Sequence, residues 1–161
     1  MKTRILTGTV GSGKTTCLMR WANAQPHVRG ILSPVADSER YFLHYPGGEK
    51  RTMEAEADEK EVYVTPRYRF SVRSFSWAVH LLEKDIRQRP DFLLIDEIGK
   101  LELRGEGFSN ILCRLLDAGK VPNLILVVRT ELLEAVRIKF GISEYSEWRA
   151  DPLSDSISGQ W

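Results

Sequence analysis

Gly8-Thr9-Val10-Gly11-Ser12-Gly13-Lys14-Thr15 follows directly on the apolar-leaning run Thr3-Arg4-Ile5-Leu6-Thr7, and its reading decides the fold. The spacing G-x-x-x-x-G-K-[ST] falls where a first strand would end and a helix begin. Glycines let the backbone bend closely around a phosphate chain, so that successive N–H groups point inward as donors. The start of the following helix adds unpaired N–H groups and a partial positive charge. Lys14 can reach the β- and γ-phosphates, and the Thr15 hydroxyl can ligate the Mg²⁺ that accompanies a nucleotide. A glycine-rich surface turn accounts for Gly8, Gly11 and Gly13 but not for the Lys14-Thr15 pair. The stretch therefore reads as a nucleoside triphosphate loop.

Working outward, Phe92-Leu93-Leu94-Ile95-Asp96-Glu97 is the second informative run. Consecutive apolar residues suit a strand covered on both faces, as in a parallel sheet. Two carboxylates at its C-terminal end fall near the crevice where open α/β sheets bind ligands. Asp96 can hold Mg²⁺ through a water, opposite Thr15. Glu97 is one residue on and points differently, so it can polarise a water for attack on the γ-phosphate. Acidic strand ends are common by themselves; the phosphate loop upstream favours the metal-and-base reading.

The remaining chain alternates strand and helix. Thr15 to Ala24 reads as a helix stopped by Pro26, and Val28 to Leu32 as a strand closed by Ser33-Pro34. Tyr41 to Tyr45, Pro46-Gly47-Gly48 and Arg51-Thr52-Met53 predict a β-hairpin insertion near residues 38–54. Glu54 to Glu61 reads as a solvated connection, after which Val62 to Thr65 is expected to re-enter the sheet. A helix over Phe75 to Arg89, capped by Ser74, buries Phe75, Val79, Leu82 and Ile86 and leaves Glu83-Lys84-Asp85 facing solvent. Phe108 to Ala118 is a further amphipathic helix with Gly119 as its C-cap. Leu124 to Val128 is a buried strand ending at Arg129-Thr130, which can sense the γ-phosphate or merely solvate a loop. Glu131 to Phe140 is a helix closed by Gly141. Ile142 to Trp161 is expected to hold short irregular elements with terminal fraying, Trp148 packing on the body.

Length and composition fit one domain over residues 1–161, with 42% hydrophobic and 28% charged residues. The formal net charge of +1 calls for no nucleic-acid partner, and no dedicated nucleic-acid-binding module is evident. Cys17 and Cys113 both fall in apolar helical patterns and read as buried thiols. No apolar stretch approaches the roughly 20 residues that cross a bilayer, and the N-terminus is expected to enter the first strand directly rather than a signal peptide. A cytoplasmic monomer is the expectation, with a protein partner left open.

The run Leu6 to Thr16, taken with Leu94-Ile95-Asp96-Glu97-Ile98-Gly99-Lys100-Leu101-Glu102-Leu103, resembles the small P-loop nucleoside-triphosphatases of the thermophile type, a family that includes the cancer-related nucleoside-triphosphatase. The resemblance spans residues 3 to about 130. It implies an α/β P-loop NTPase three-layer sandwich with a mostly parallel central sheet. It also implies slow, broadly base-tolerant hydrolysis of ATP, GTP and other nucleoside triphosphates to the diphosphate. Carried onto this chain, phosphate contacts go to Gly8, Gly13, Lys14, Thr15 and Thr16, with Thr9, Val10, Gly11 and Ser12 completing the loop. Mg²⁺ goes to Thr15 and Asp96, and water activation to Glu97. Lys100 and Glu102 match family positions, with a structural latch and a chemical role both open.

Departures from the family pattern are Ser33-Pro34-Val35 and a shorter C-terminal segment, and no GTP-reading Asn-Lys-x-Asp motif occurs. Arg40, Arg104 and Arg129 are the candidates for a transition-state arginine acting in cis. Two alternatives remain at this stage: a small-molecule or nucleotide kinase, with Arg67, Arg69 and Arg73 as its lid, and a switch acting with RNA or a protein partner.

Overall fold

Apolar residues come in adjacent pairs along the central strands, and each pair splits across the sheet. Ile5, Ile31, Leu93, Ile95, Leu124, Leu126 and Val128 enter one buried cluster, while Leu6, Leu32, Leu94, Ile125 and Val127 enter a second. Period-two alternation with both faces apolar requires a sheet covered on both sides. The computed structural model describes residues 1–151 and 156–158.

The elements in chain order are β1 (Lys2–Gly8), α1 (Lys14–Asn23), β2 (Val28–Leu32), β3 (Val35–Ala36), β4 (Glu39–Tyr45) and β5 (Lys50–Thr52). There follow β6 (Val62–Val64), β7 (Arg69–Ser71), α2 (Val72–Arg87), β8 (Phe92–Ile98), α3 (Lys100–Leu103) and α4 (Ser109–Ala118). The chain continues with β9 (Asn123–Arg129), α5 (Leu133–Phe140), β10 (Ser146–Asp151) and β11 (Ser156–Ser158). The sheet order is β11-β10-β1-β9-β8-β2-β4-β3, parallel from β10 through β2, with β5 paired to β4. Helix α1 packs its Leu18, Trp21 and Ala22 on one face, and α2, α4 and α5 cover the other through Leu82, Leu112 and Val136. The result is the expected α/β three-layer sandwich.

The predicted hairpin near residues 38–54 is present as β4–β5, and β4 also pairs antiparallel with β2. Strand β2 approaches β8 closely at Gly30, where φ is +143° and an added Cβ would lie 2.1 Å from the Leu94 carbonyl oxygen. Glycine is the residue that this contact admits.

Several expectations are corrected. Val62 to Val64 does not re-enter the central sheet but pairs antiparallel with β7 in a separate two-stranded sheet. Each strand is three residues long, and the turn closed by Thr65 N–H on the Tyr68 carbonyl, at 2.9 Å, pairs them with each other instead. Helix α2 starts earlier than its apolar stripe suggests, because Ser71 is still extended and its hydroxyl accepts from the Ser74 N–H at 3.1 Å. Val79 and Ile86 are only partly buried; Ala78 and Leu81 take their place beside Phe75 and Leu82. Asp85 is buried rather than solvent-facing, where it meets His44 Nε2 at 3.1 Å and Arg29 at 3.4 Å. Cys17 is buried, but Cys113 is exposed.

The largest correction concerns the C-terminal segment. Residues 146–151 form β10, parallel to β1, and Trp148 is 1% exposed with its ring 5.3 Å from that of Trp21. A single inward tryptophan between Glu147 and Arg149 carries this strand, so its hydrophobic pattern is too sparse to read in sequence. Trp161 lies outside the described residues. Trp148→Ala is expected to cost about 3–5 kcal/mol, the range for truncating a buried aromatic side chain. Urea denaturation checks this; a loss below about 1 kcal/mol would mean that β10 is a loosely attached tail.

Candidate active site

The loop after β1 owes its shape to its glycines and to Lys14. An added Cβ on Gly8 would meet Ser12 Oγ at 2.4 Å and Lys14 Cδ at 3.2 Å, so any larger residue there would press on the side chains of Ser12 and Lys14. Gly13 precedes α1 in the left-handed region, at φ 74°. The first intrahelical bond runs from Cys17 N–H to Gly13 O, and the N–H groups of Lys14, Thr15 and Thr16 thus have no acceptor within the helix. Lys14 Nζ donates to Gly8 O, at 3.1 Å, and to Thr9 O. Burial holds the Lys14 ammonium below its ordinary pKa and nearby Arg129 adds to this, against the opposite pull of Asp96 and Glu97. Val10 is exposed at the crest of the loop.

Strand β9 separates β1 from β8, yet Asp96 of β8 reaches the start of α1. Its Oδ2 accepts from the Thr15 hydroxyl at 2.8 Å and from the Ser33 N–H at 2.9 Å. Asp96 is fully buried, and its Oδ1 has no hydrogen-bond partner. Sequence reasoning missed Ser33; Pro34 after it disfavours a helical conformation at Ser33, and extended backbone leaves its N–H free for the carboxylate. A hydroxyl beside a buried carboxylate oxygen with an unused acceptor is a hard-oxygen donor set. It suits Mg²⁺, which takes one or two protein ligands and completes its shell from phosphate and water. The described residues contain no cluster of three or more His, Cys, Asp or Glu side chains that could hold a metal.

Glu97 faces elsewhere, at a bulge in β8. Register with β9 runs Ile95–Leu126 and then Ile98–Val128, so Asp96 and Glu97 together face one residue of the partner strand. Glu97 adopts φ +62°, an unfavourable region for a non-glycine residue. A bulge of this kind re-aims a side chain, and here it takes Glu97 out of the ladder beside Asp96. The Glu97 oxygens accept from Arg40 Nη1 at 2.9 and 2.8 Å, and Arg129 Nη2 lies 3.8 Å from Oε1. Arg40 also lies over the Tyr68 ring, 4.9 Å from its centroid. Burial opposes the charge on Arg40, but Glu97 and Tyr68 beside it hold its pKa above the ordinary value.

The structure sorts the remaining candidates. Arg40 and Arg129 join the acid pair, whereas Arg104 donates to Val64 O and Glu106. Glu102 is a buried latch: its two oxygens accept from the Gly99 N–H at 2.8 Å and the Phe108 N–H at 3.0 Å. Lys100 is exposed at the start of α3. Tyr68 had no sequence signal, since its place beside Arg40 depends on a hairpin paired outside the main sheet.

Burial, and after it the neighbouring Glu97 charge, pushes Asp96 up to about 6 from its ordinary 3.8. The folded chain therefore binds this proton more tightly than the unfolded chain does. Its contribution to stability is complete below the ordinary pKa and is lost as pH rises through the folded value. In metal-free buffer, the melting temperature of wild type relative to Asp96→Asn is expected to fall between about pH 4 and about pH 6. Parallel pH profiles for the two proteins would contradict this.

A family model described as NTPase matches residues 3–146. Among solved structures, the chain is similar to THEP1 from the hyperthermophile Aquifex aeolicus, with TM-score 0.69 and 22% identity over 89% of this chain and 87% of that one. It is also similar to a human cancer-related nucleoside triphosphatase, with TM-score 0.57 and 20% identity over 90% and 88% of the two chains. No curated protein matches. The structural likenesses support the P-loop fold, and the family model covers nearly the whole described chain: this protein belongs to the NTPase family of enzymes, whose general activity is hydrolysis of nucleoside triphosphates.

Proposed function

We propose that the chain hydrolyses nucleoside 5'-triphosphates to the diphosphate and phosphate in a Mg²⁺-dependent reaction with broad base tolerance. The observation that carries this reading is the bulge at Asp96-Glu97, which leaves one carboxylate on Thr15 and turns the other towards two arginines. The loop N–H groups and Lys14 bind the phosphate chain and neutralise charge that spreads over the transferring phosphoryl group. Thr15 and Asp96 would hold Mg²⁺, which supplies further neutralisation of the phosphate oxygens when bound. Glu97 orients the attacking water and accepts its proton. The sequence carries no Asn-Lys-x-Asp motif to read guanine, which accords with broad base tolerance.

The kinase alternative is less well supported. Its lid would need arginines over the phosphates, yet Arg69 donates to the Glu59 carbonyl and Arg67 and Arg73 are exposed. Acceptor-stimulated consumption of ATP would favour that alternative, and an RNA-dependent rate would favour a switch.

The test is phosphate release with Mg²⁺ and each of ATP, GTP, CTP and UTP. Wild type is expected to release phosphate from all four, slowly. Glu97→Gln is expected to lose on the order of 10²-fold or more in kcat while still binding nucleotide. Lys14→Ala is expected to lose binding and turnover together. Tight binding without release by wild type would contradict the hydrolytic reading.

A further inference from the structure

Outside the phosphate loop, the contact that stands out is the stack of Glu97, Arg40 and Tyr68. Arg40 is presented by the β3–β4 hairpin, whose two turn residues Asp37 and Ser38 have φ 51° and 65°. Positive φ at both positions is the type I′ geometry that matches strand twist, so Arg40 leaves a stiff support. Its backbone carbonyl accepts from the Met53 N–H at 2.8 Å, which adds a second anchor. The Arg40 side chain is 15% exposed.

Tyr68 is equally constrained. Its N–H donates to Thr65 Oγ1 at 3.0 Å, and its carbonyl accepts from the Thr65 N–H at 2.9 Å. Its ring stacks on Phe70 at 5.5 Å, and Phe70 is buried in the cluster that holds Phe75. Arg104 of the α3 terminus donates to Val64 O and ties this β6–β7 hairpin to the chain that leaves Glu97.

We propose that Arg40 is the positioning residue of Glu97. Its guanidinium, set against the Tyr68 ring, fixes the carboxylate in the orientation that water activation needs, so the β6–β7 hairpin influences turnover from outside the phosphate loop. This rests on the hydrolytic reading above. Glu97 lies on a bulge and its side chain is part-exposed, so nothing in its own strand selects one orientation. A carboxylate has about four lone-pair sites, and one nitrogen bonded to both oxygens leaves acceptor capacity for a water. Arginine suits the place better than lysine, because a planar guanidinium can pair with the carboxylate edge-on while lying flat on an aromatic face. Arg129, at 3.8 Å, is the weaker partner.

The experiment measures kcat and KM for MgATP in wild type, Arg40→Ala, Arg40→Lys, Tyr68→Leu and the Arg40→Ala/Tyr68→Leu double variant, with nucleotide affinity and circular dichroism as fold controls. Arg40→Ala is expected to lose about 10- to 100-fold in kcat, the scale for a misplaced reacting group, with KM within about twofold. Millimolar guanidinium ion is expected to restore part of that loss, and Arg40→Lys to recover only part of it. Tyr68→Leu alone is expected to lower kcat several-fold and to add nothing in the Arg40→Ala background.

An unchanged kcat in folded Arg40→Ala, a loss confined to KM, or additive losses at Arg40 and Tyr68 would each overturn the proposal. If Arg40→Ala fails to fold, Tyr68→Leu decides: wild-type kcat in that variant overturns it. A wild type that binds nucleotide but releases no phosphate overturns the hydrolytic reading and this proposal with it. An active wild type with a fully active Arg40→Ala overturns this proposal alone.

Discussion

Three chain segments meet at one atom, Oδ2 of Asp96. The Thr15 hydroxyl brings the first turn of α1, the Ser33 N–H brings the end of β2, and Asp96 itself ends the buried part of β8. Burial, and after it the neighbouring Glu97 charge, penalises this carboxylate, which is why its proton affinity is raised. A core built for stability alone would place an apolar residue there. The carboxylate is tolerated because two donors meet one oxygen, while the other stays available beside Thr15. The phosphate loop, which β9 separates from β8, is thereby locked to the acid pair.

The next residue shows what one inserted position does. Without the bulge, alternation along β8 would still place Asp96 and Glu97 on opposite faces, but Glu97 would follow the ladder into the sheet's other layer. With φ +62° it instead stands part-exposed between Arg40 and Arg129. Local backbone strain of this kind costs on the order of 1–3 kcal/mol and persists where surrounding contacts over-determine it. The buried Glu102 latch immediately downstream, bonded to Gly99 and Phe108, holds the exit from the bulge. Site and strain are parts of one arrangement.

Much of this was legible in the chain because it rests on local rules. The loop from Gly8 to Thr16 announces itself through spacing, and Leu93 to Ile95 announce a doubly covered strand. Trp148 was legible as a packed residue but not as part of a parallel edge strand, since its neighbours are polar. Val62 to Val64 has the apolar look of a returning strand; only pairing with Arg69 to Ser71 shows otherwise. Asp85 and Ser33 lie beyond sequence reasoning for another reason. Their partners, His44 with Arg29 and Asp96, are more than 40 residues away in the chain for His44 and more than 60 for Asp96. Long-range polar contacts leave no periodic mark.

The most direct test is a crystal structure of the Glu97→Gln variant with Mg²⁺ and an unhydrolysed nucleoside triphosphate. The account predicts the phosphates in the loop, the metal beside Thr15 and Asp96, and the residue 97 side chain on the γ-phosphate side with a water between them. A residue 97 side chain turned away from the γ-phosphate, or a metal held away from Asp96, would contradict the division of labour between the two carboxylates.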